Sequence, residues 1–437
     1  MAHALTFDSL IGLLHQQLEQ LAEHRKGKNT RYSLKDAGLG AFAVFFTQSP
    51  SFLAYQRHMQ RARGKNNAAS IFGIEKIPSD NQIRSLLDPI EPNQIYPLFR
   101  MILERLDQAG HLEAFRFLDN HLLLSLDATR LFSSQKISCK NCSQSSIAEG
   151  TNIHFHDVII PILVTPTSNR VITLEPEFIV PQDGHDKQDC EQAAAKRWIQ
   201  RNAQQPVLKH AILLGDDLYC KQPFCELLLQ QELNFILVCK PDSHPALYEW
   251  IDFNGAKELV VQRWNGRFTE IHTYRYVHHV PLRRGDDALF VDWCELTITH
   301  QTEGRILYRN AFATNYQVTQ DNVEAVVQAG RARWKSENES HNVLKTKGYH
   351  LEHNYGHGKS NLANTLLTLN LLAFLFHTVL SMASVKYRSL RKELATRQTF
   401  FNDVRALTRY LYFLNWEDLL DFMIMQLELS PDELDSS

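Results

Sequence analysis

Three acidic residues stand where carboxylates could act together on a phosphodiester. Asp127 closes the apolar run Leu122 to Leu126, Asp216 closes the run His210 to Gly215, and Glu337 lies in a helical stretch four residues after Arg333. A carboxylate at the end of a strand projects into the cleft at the sheet edge, where ligands of α/β sheets bind. Phosphodiester transfer needs an activated water or 3′-hydroxyl and a stabilised leaving oxygen, and two Mg2+ ions about 4 Å apart serve both. Mg2+ takes hard oxygen ligands and only a few carboxylates, so a set of Asp, Asp and Glu meets the need. Position alone does not decide the matter. A strand-end Asp is commonly a cap, and a helical Glu beside an Arg is commonly a surface ion pair.

A second constellation could hold a different metal. The pair Cys139 and Cys142 is followed by His154 and His156, a Cys2His2 set of candidate structural zinc ligands. The two histidines are predicted on one face of a strand, at i and i+2, with the cysteines on a loop that folds back. The competing reading is two free thiols beside strand histidines. A lone CxxC is a weak signal, and twenty histidines make chance pairs common.

The elements that must position these groups follow from periodicity. Up to about Gly110 the chain reads as helical, with Leu10, Leu13, Leu14 and Leu18 at helical spacing, Ser33 as an N-cap for a helix through Phe46, and Ser79-Asp80 capping another. Basic connections run from Arg25 to Arg31 and from Arg57 to Lys65. From His121 the pattern changes to a short buried strand, a polar loop over 133–151, and two β-rich runs, Ile153 to Val164 and Arg170 to Val180. A helix over Cys190 to Asn202, a strand over His210 to Gly215, a helix over Pro223 to Gln231 and a strand over Asn234 to Cys239 complete this unit. Strands joined by tight turns are antiparallel and those joined by helices are parallel, so the expectation is a mixed sheet. Three antiparallel strands followed by helix-linked ones is the order of the ribonuclease-H-like fold. Four alternating runs between Glu258 and Ala313 read as a β insertion, and Asp321 opens a long helix through about Lys347.

The surroundings of the acids are more specific than the acids. Leu126 to Thr129 with Phe132 to Ser134, then Leu214 to Tyr219, then Arg331 to Asn338 resemble the bacterial insertion-sequence transposases of the DDE type. The group concerned has a β insertion before the last acid and the helical signature Tyr-x2-Arg-x3-Glu-x6-Lys. Arg333 and Glu337 keep that spacing, and Trp334 follows the Arg as it often does in the family. Gly330 stands where the Tyr is expected, and the lysine is Lys345, one residue late. The resemblance implies Asp127, Asp216 and Glu337 as catalytic ligands of Mg2+ or Mn2+, with Arg333 and Lys345 on DNA phosphates. Asp217 rivals Asp216, and Glu339 rivals Glu337. Arg333 shares a helical face with Glu337 and not with Glu339, which favours Glu337.

The implied architecture is α/β: a ribonuclease-H-like mixed-sheet core with an N-terminal helical domain and an inserted β-rich domain. The expected boundaries are 1–118 for DNA-binding helices, 119–239 for the first part of the core, 240–318 for the insertion, 319–385 for the second part with the Glu helix, and 386–437 for a C-terminal helical region with an acidic tail. Within the insertion, the resemblance makes Trp250, Trp264 and Trp293 candidates to stack on a base, with core packing the favoured reading for any one of them, and Arg263, Arg267, Arg275, Arg283 and Arg284 are candidates to follow the DNA backbone. The implied partners are double-stranded DNA, as terminal inverted repeats and as target, and a second copy of the chain on DNA.

The bulk properties are compatible with this. The chain has 437 residues, a net charge of −3, 44% hydrophobic and 22% charged residues, the composition of an ordinary globular protein of several domains. The first seventy residues carry nine Lys/Arg against four Asp/Glu, whereas the stretch from Trp416 onward holds seven acids and no base. Seven cysteines and no apolar leader predict reduced thiols in a cytoplasmic setting. The most apolar segment, Leu362 to Leu380, contains Asn364, Asn370 and His377 and is predicted as a buried core helix, with no membrane span.

Overall fold

Leucines 10, 13, 14 and 18 wind onto one face of the first helix, α1 (Phe7–Glu19), and all four are buried. The Ser33 hydroxyl accepts the Asp36 amide at 2.9 Å and starts α2 (Leu34–Phe46). After α3 (Phe52–Met59) and α4 (Asn67–Phe72), Ser79 and Gln82 form a capping box that opens α5 (Asp80–Leu87). The amphipathic α6 (Tyr96–Gln108) ends this helical region. A computed structural model describes residues 5–26, 31–59, 66–146, 152–181, 190–394 and 396–429. Parts of both basic connections, of the polar loop and of the acidic tail therefore lie outside the described residues.

The strands are β1 (Arg116–Phe117), β2 (His121–Ser125), β3 (Ala128–Ser134), β4 (Ser143–Ser146), β5 (Asn152–Ile159), β6 (Ile162–Thr165), β7 (Ser168–Thr173) and β8 (Glu177–Ile179). Then come α7 (Glu191–Asn202), β9 (Ile212–Gly215), α8 (Gln222–Gln230), β10 (Asn234–Val238) and α9 (Pro245–Asn254). Four long strands follow, β11 (Lys257–Trp264), β12 (Thr269–Pro281), β13 (Phe290–His300) and β14 (Ile306–Thr314).

The result is a mixed α/β protein built on a ten-stranded mixed sheet, ordered β11-β12-β13-β14-β10-β9-β2-β6-β7 with β1 also on β2. Within it β2, β9 and β10 are parallel neighbours, while β6 and β7 continue antiparallel from β2. The two predicted long β runs each break. Ile160-Pro161 separates β5 from β6, and Leu174 to Pro176 separates β7 from β8. A proline cannot donate to a ladder, and the halves belong to different sheets. β3, β5, β4 and β8 form a second, four-stranded sheet, with β4 inside the stretch expected as loop. The four strands of the predicted insertion join the central sheet, where β14 pairs antiparallel with β10. The helix α9 was not expected.

The long helix expected from Asp321 is one rod with changing winding: α10 (Val323–Arg331), a tight 3-10 turn at Ala332–Trp334, a wide π turn over Ser336–His341, and α11 (Asn342–Thr346). Then α12 (Leu362–Ala383) runs through the interior with nearly every side chain buried. It is apolar and long enough to cross a membrane, but its burial is that of a core helix. Phe376 of α12 meets Phe42 of α2 edge-on, with ring centres 4.8 Å apart. The last helices, α13 (Val385–Glu393), α14 (Arg397–Tyr410) and α15 (Trp416–Gln426), close over the same core, where Trp416 stacks on Phe7.

Candidate active site

Two parallel neighbours deliver the first two acids side by side. The Leu126 amide donates to the Leu214 carbonyl at 3.1 Å, so the chain exits β2 and β9 in register, with Asp127 and Asp216 next to each other at the sheet edge. Gly215 makes this exit possible, since a Cβ there would lie 2.8 Å from the Tyr219 ring. The third acid arrives on the helical rod. Its anchor is a buried hydrogen bond of 2.8 Å from the Ser336 hydroxyl to the Ser125 hydroxyl, joining the residue before Glu337 to the end of β2. Lys335 supports the same turn: its buried ammonium donates to the carbonyls of Thr165 and Ser168 in the β6–β7 turn.

The electrostatics register the convergence. Burial pushes the Asp127 carboxyl up to about 6; the nearby charges of Glu191, Asp216 and Glu337 add to the rise, and Arg333 opposes it. Glu337 is exposed, on the open side of the cleft. Both rivals point elsewhere. The Asp217 carboxylate accepts the Lys240 amide at 2.7 Å and the Ser243 hydroxyl, which turns it toward the loop after β10. Glu339 faces Arg170 and Arg397 across a separate depression. The Arg333 side chain makes no hydrogen bond or ion pair among the described residues, which leaves its guanidinium available to an anion.

Two further members of the cleft were not foreseen. Glu191, in the first turn of α7, accepts the Tyr219 hydroxyl at 2.6 Å, and burial raises its carboxyl. His341 places Nδ1 3.8 Å from an Asp127 oxygen. Burial, with Lys345 nearby, holds that imidazole down to about 4, so it is neutral at pH 7, and its Nε2 has no partner. The signal for His341 was available, because it follows Glu337 by four residues.

Both departures from the helical signature have physical causes. At Gly330 a Cβ would sit 2.7 Å from the Phe312 ring and 3.0 Å from Ile236, so the rod lies directly on the sheet and no tyrosine fits. The π turn takes in about one residue more than an α turn, so the eight residues from Glu337 to Lys345 make about two full turns. Lys345 itself pairs with Glu352 at 3.0 Å.

The cysteine pair also finds ligand partners, but not the expected four. Cys139, Cys142, His156 and His357 bring their ligand atoms within 4.8 Å of one another. His154 is not in the group and is replaced by His357. Ser143 pairs with Phe155 across β4 and β5, which sets Cys142 level with His156, whereas His154 lies two residues, about 7 Å, further along the strand. His357 lies in the His353 to Gly358 stretch between the helical rod and α12. Cys220, Cys239 and His244 form a second, fully buried group of three. Both Cys/His groups could hold a metal ion.

No protein-family model matches this chain, and no curated protein matches it. The site therefore stands on its geometry and its sequence pattern.

Four of the five arginines expected along a DNA path are paired with acids. Arg263 pairs with Glu324, Arg275 with Glu295, Arg283 with Asp287 and Arg284 with Glu249. Of the five arginines, only Arg267 makes no side-chain pair among the described residues. It sits in the β11–β12 hairpin beside Trp264, which is 67% exposed, while Trp293 is buried and Trp250 half-buried.

Proposed function

We propose that this chain is a DNA transposase of the insertion-sequence type, cutting and joining DNA ends by metal-dependent phosphoryl transfer. The observation that carries the reading is the convergence of Asp127, Asp216 and Glu337, from three distant segments, on one cleft where burial and mutual repulsion raise the Asp127 carboxyl. A ribonuclease-H-like core is the finer fold reading. It is supported by the antiparallel run β2, β6, β7 followed by the helix-linked parallel strands β9 and β10.

The carboxylate set fits hard divalent cations, whose charge would relieve the crowding at Asp127. Mg2+ or Mn2+ bound there would activate the attacking oxygen and stabilise the leaving one. The chain's own groups do the rest. The strand ends fix Asp127 and Asp216, and the Ser336–Ser125 bond fixes the approach of Glu337. The Arg333 guanidinium binds a phosphate beside the cut, a bidentate task suited to Arg. Neutral His341 fills the space behind Asp127 without adding positive charge. Zinc is the second metal of this reading, at the Cys/His group of four. A full set of four protein ligands leaves no open position at that group.

Under this reading the N-terminal helices grip terminal inverted repeats, two copies act together on DNA, and the protein works in the cytoplasm. The test is a purified full-length chain mixed with candidate element ends and Mg2+ or Mn2+. Cleavage and joining to a target are expected from the wild type, and Asp127→Asn, Asp216→Asn and Glu337→Gln should bind DNA without cutting. Cleavage of element ends with no joining of pre-cut ends to a target would make the chain a nuclease. Cutting by the Asp127→Asn chain would end the proposal.

A further inference from the structure

The Cys/His group of four has the dimensions of a closed tetrahedral centre. The Cys139 and Cys142 sulfurs are 3.8 Å apart. The His156 Nε2 lies 3.3 Å from Cys139 Sγ and 3.2 Å from Cys142 Sγ, and the His357 Nε2 lies 3.4 Å from Cys142 Sγ. Zinc bonds of about 2.3 Å to sulfur and about 2.0–2.1 Å to nitrogen, set at tetrahedral angles, give edges of about 3.8 Å for S···S and about 3.5 Å for S···N. A sulfur separation of 3.8 Å also excludes a disulfide, whose bond is about 2.05 Å.

The surroundings are those of a ligand set. His156 Nδ1 is 3.0 Å from Asn364 Oδ1 on α12; when Nδ1–H donates there, Nε2 presents its lone pair to the sulfurs, the usual support behind a metal-bound imidazole. The Phe132 ring covers His357 with centres 4.4 Å apart. Two thiolates balance the charge of one Zn2+, and a thiolate–imidazole set selects zinc over hard cations.

The location assigns a role. The ligands come from the loop after β3, from β5, and from the turn that leads from the Glu337 rod to α12. That turn is also held by the N-terminal region. The Asp88 carboxylate, just past α5, accepts the amides of Lys359, Ser360 and Leu362, and Arg84 donates to the Tyr355 carbonyl. Asn141, between the two cysteines, donates to Ser360 and Asn361. Gly358 permits this approach: its φ is +72°, and a Cβ there would strike the Asp88 carboxylate.

We propose that Cys139, Cys142, His156 and His357 bind one structural zinc ion that rivets the small sheet to the 353–361 turn and, through Asp88, to the N-terminal helices. The full-length protein, purified without chelator, should carry zinc at these residues, and cobalt put in its place should give a tetrahedral thiolate spectrum. Cys139→Ser/Cys142→Ser and His357→Ala should each lose that zinc. Asn364→Ala, which keeps all four ligands, should weaken retention about 10–100-fold. His154→Ala should retain it fully. Removing the zinc should speed amide exchange at 139–142 and 353–361 and leave β9 and β10 protected. Zinc-free wild type, or zinc that survives His357→Ala and the double cysteine variant and so resides at Cys220, Cys239 and His244, overturns the proposal. Loss of zinc on His154→Ala does so too. These readouts need no DNA, so their failure is separable from failure of the transposase reading.

Discussion

The acidic cleft and the Cys/His group use the same device, side chains from distant segments meeting at one point, toward opposite ends. In the cleft the donors are oxygens, Glu337 is exposed, and like charges crowd one another. In the Cys/His group the donors are soft, three of the four residues are buried, and the one S···S and three S···N distances given above match those of a filled tetrahedron. A group left crowded and open suits an ion that must share its coordination with a substrate and exchange. A group closed and buried suits an ion that never leaves. Under the proposed reading, ligand type and enclosure, more than burial alone, would separate a working centre from a fastening.

The comparison can be broken most sharply at Asp127. Asp127→Asn keeps size and removes charge, and DNA cleavage should fall on the order of 10²–10³-fold or more, with DNA retention in a gel-shift assay unchanged. Brief chelation tests the exchange difference directly. Cleavage should vanish and return fully when Mg2+ is restored, while zinc content by mass spectrometry stays constant throughout; zinc lost as fast as Mg2+ would erase the contrast.

Smaller effects concern the scaffold. Gly330→Ala forces a methyl group against Phe312 and should cost about 1–3 kcal/mol in urea unfolding. Ser336→Ala strands the buried Ser125 hydroxyl and should cost a similar, about 1–3 kcal/mol, while slowing cleavage through a displaced Glu337. The smallest pair lies on the β11–β14 surface. Arg267→Ala should leave stability unchanged and reduce the salt dependence of DNA binding by about one phosphate contact. Arg284→Ala, which breaks an exposed pair with Glu249, should change stability by less than about 0.5 kcal/mol and leave that slope alone.

Local rules made much of this legible. Strand ends at Asp127 and Asp216, the N-caps at Ser33 and Ser79, and the leucine face of α1 all follow from periods and caps that a sequence displays. The splits at Pro161 and Pro176 were also visible in principle, since proline interrupts a ladder, but which sheet each half joins depends on partners elsewhere in the chain. His357 was out of reach for the same reason: 215 residues separate it from Cys142, and only the fold brings them together. The pairing of β14 with β10, which joins the strands of the expected insertion to the central sheet, is another such contact. His341 was legible by spacing and simply carried no motif to draw attention to it.

The widened turn at Ser336–His341 has a consequence for how this helix tolerates length changes. Its surplus residue acts as slack in the winding. Deleting one residue between Asn338 and Ser340 would let the rod tighten to ordinary α geometry, keeping Glu337 docked through its neighbour Ser336 and bringing Lys345 to the seven-residue spacing. Deleting one residue in the tightly wound stretch before Ser336 has no such slack to draw on, and would swing the acid about 100° around the axis, out of the cleft.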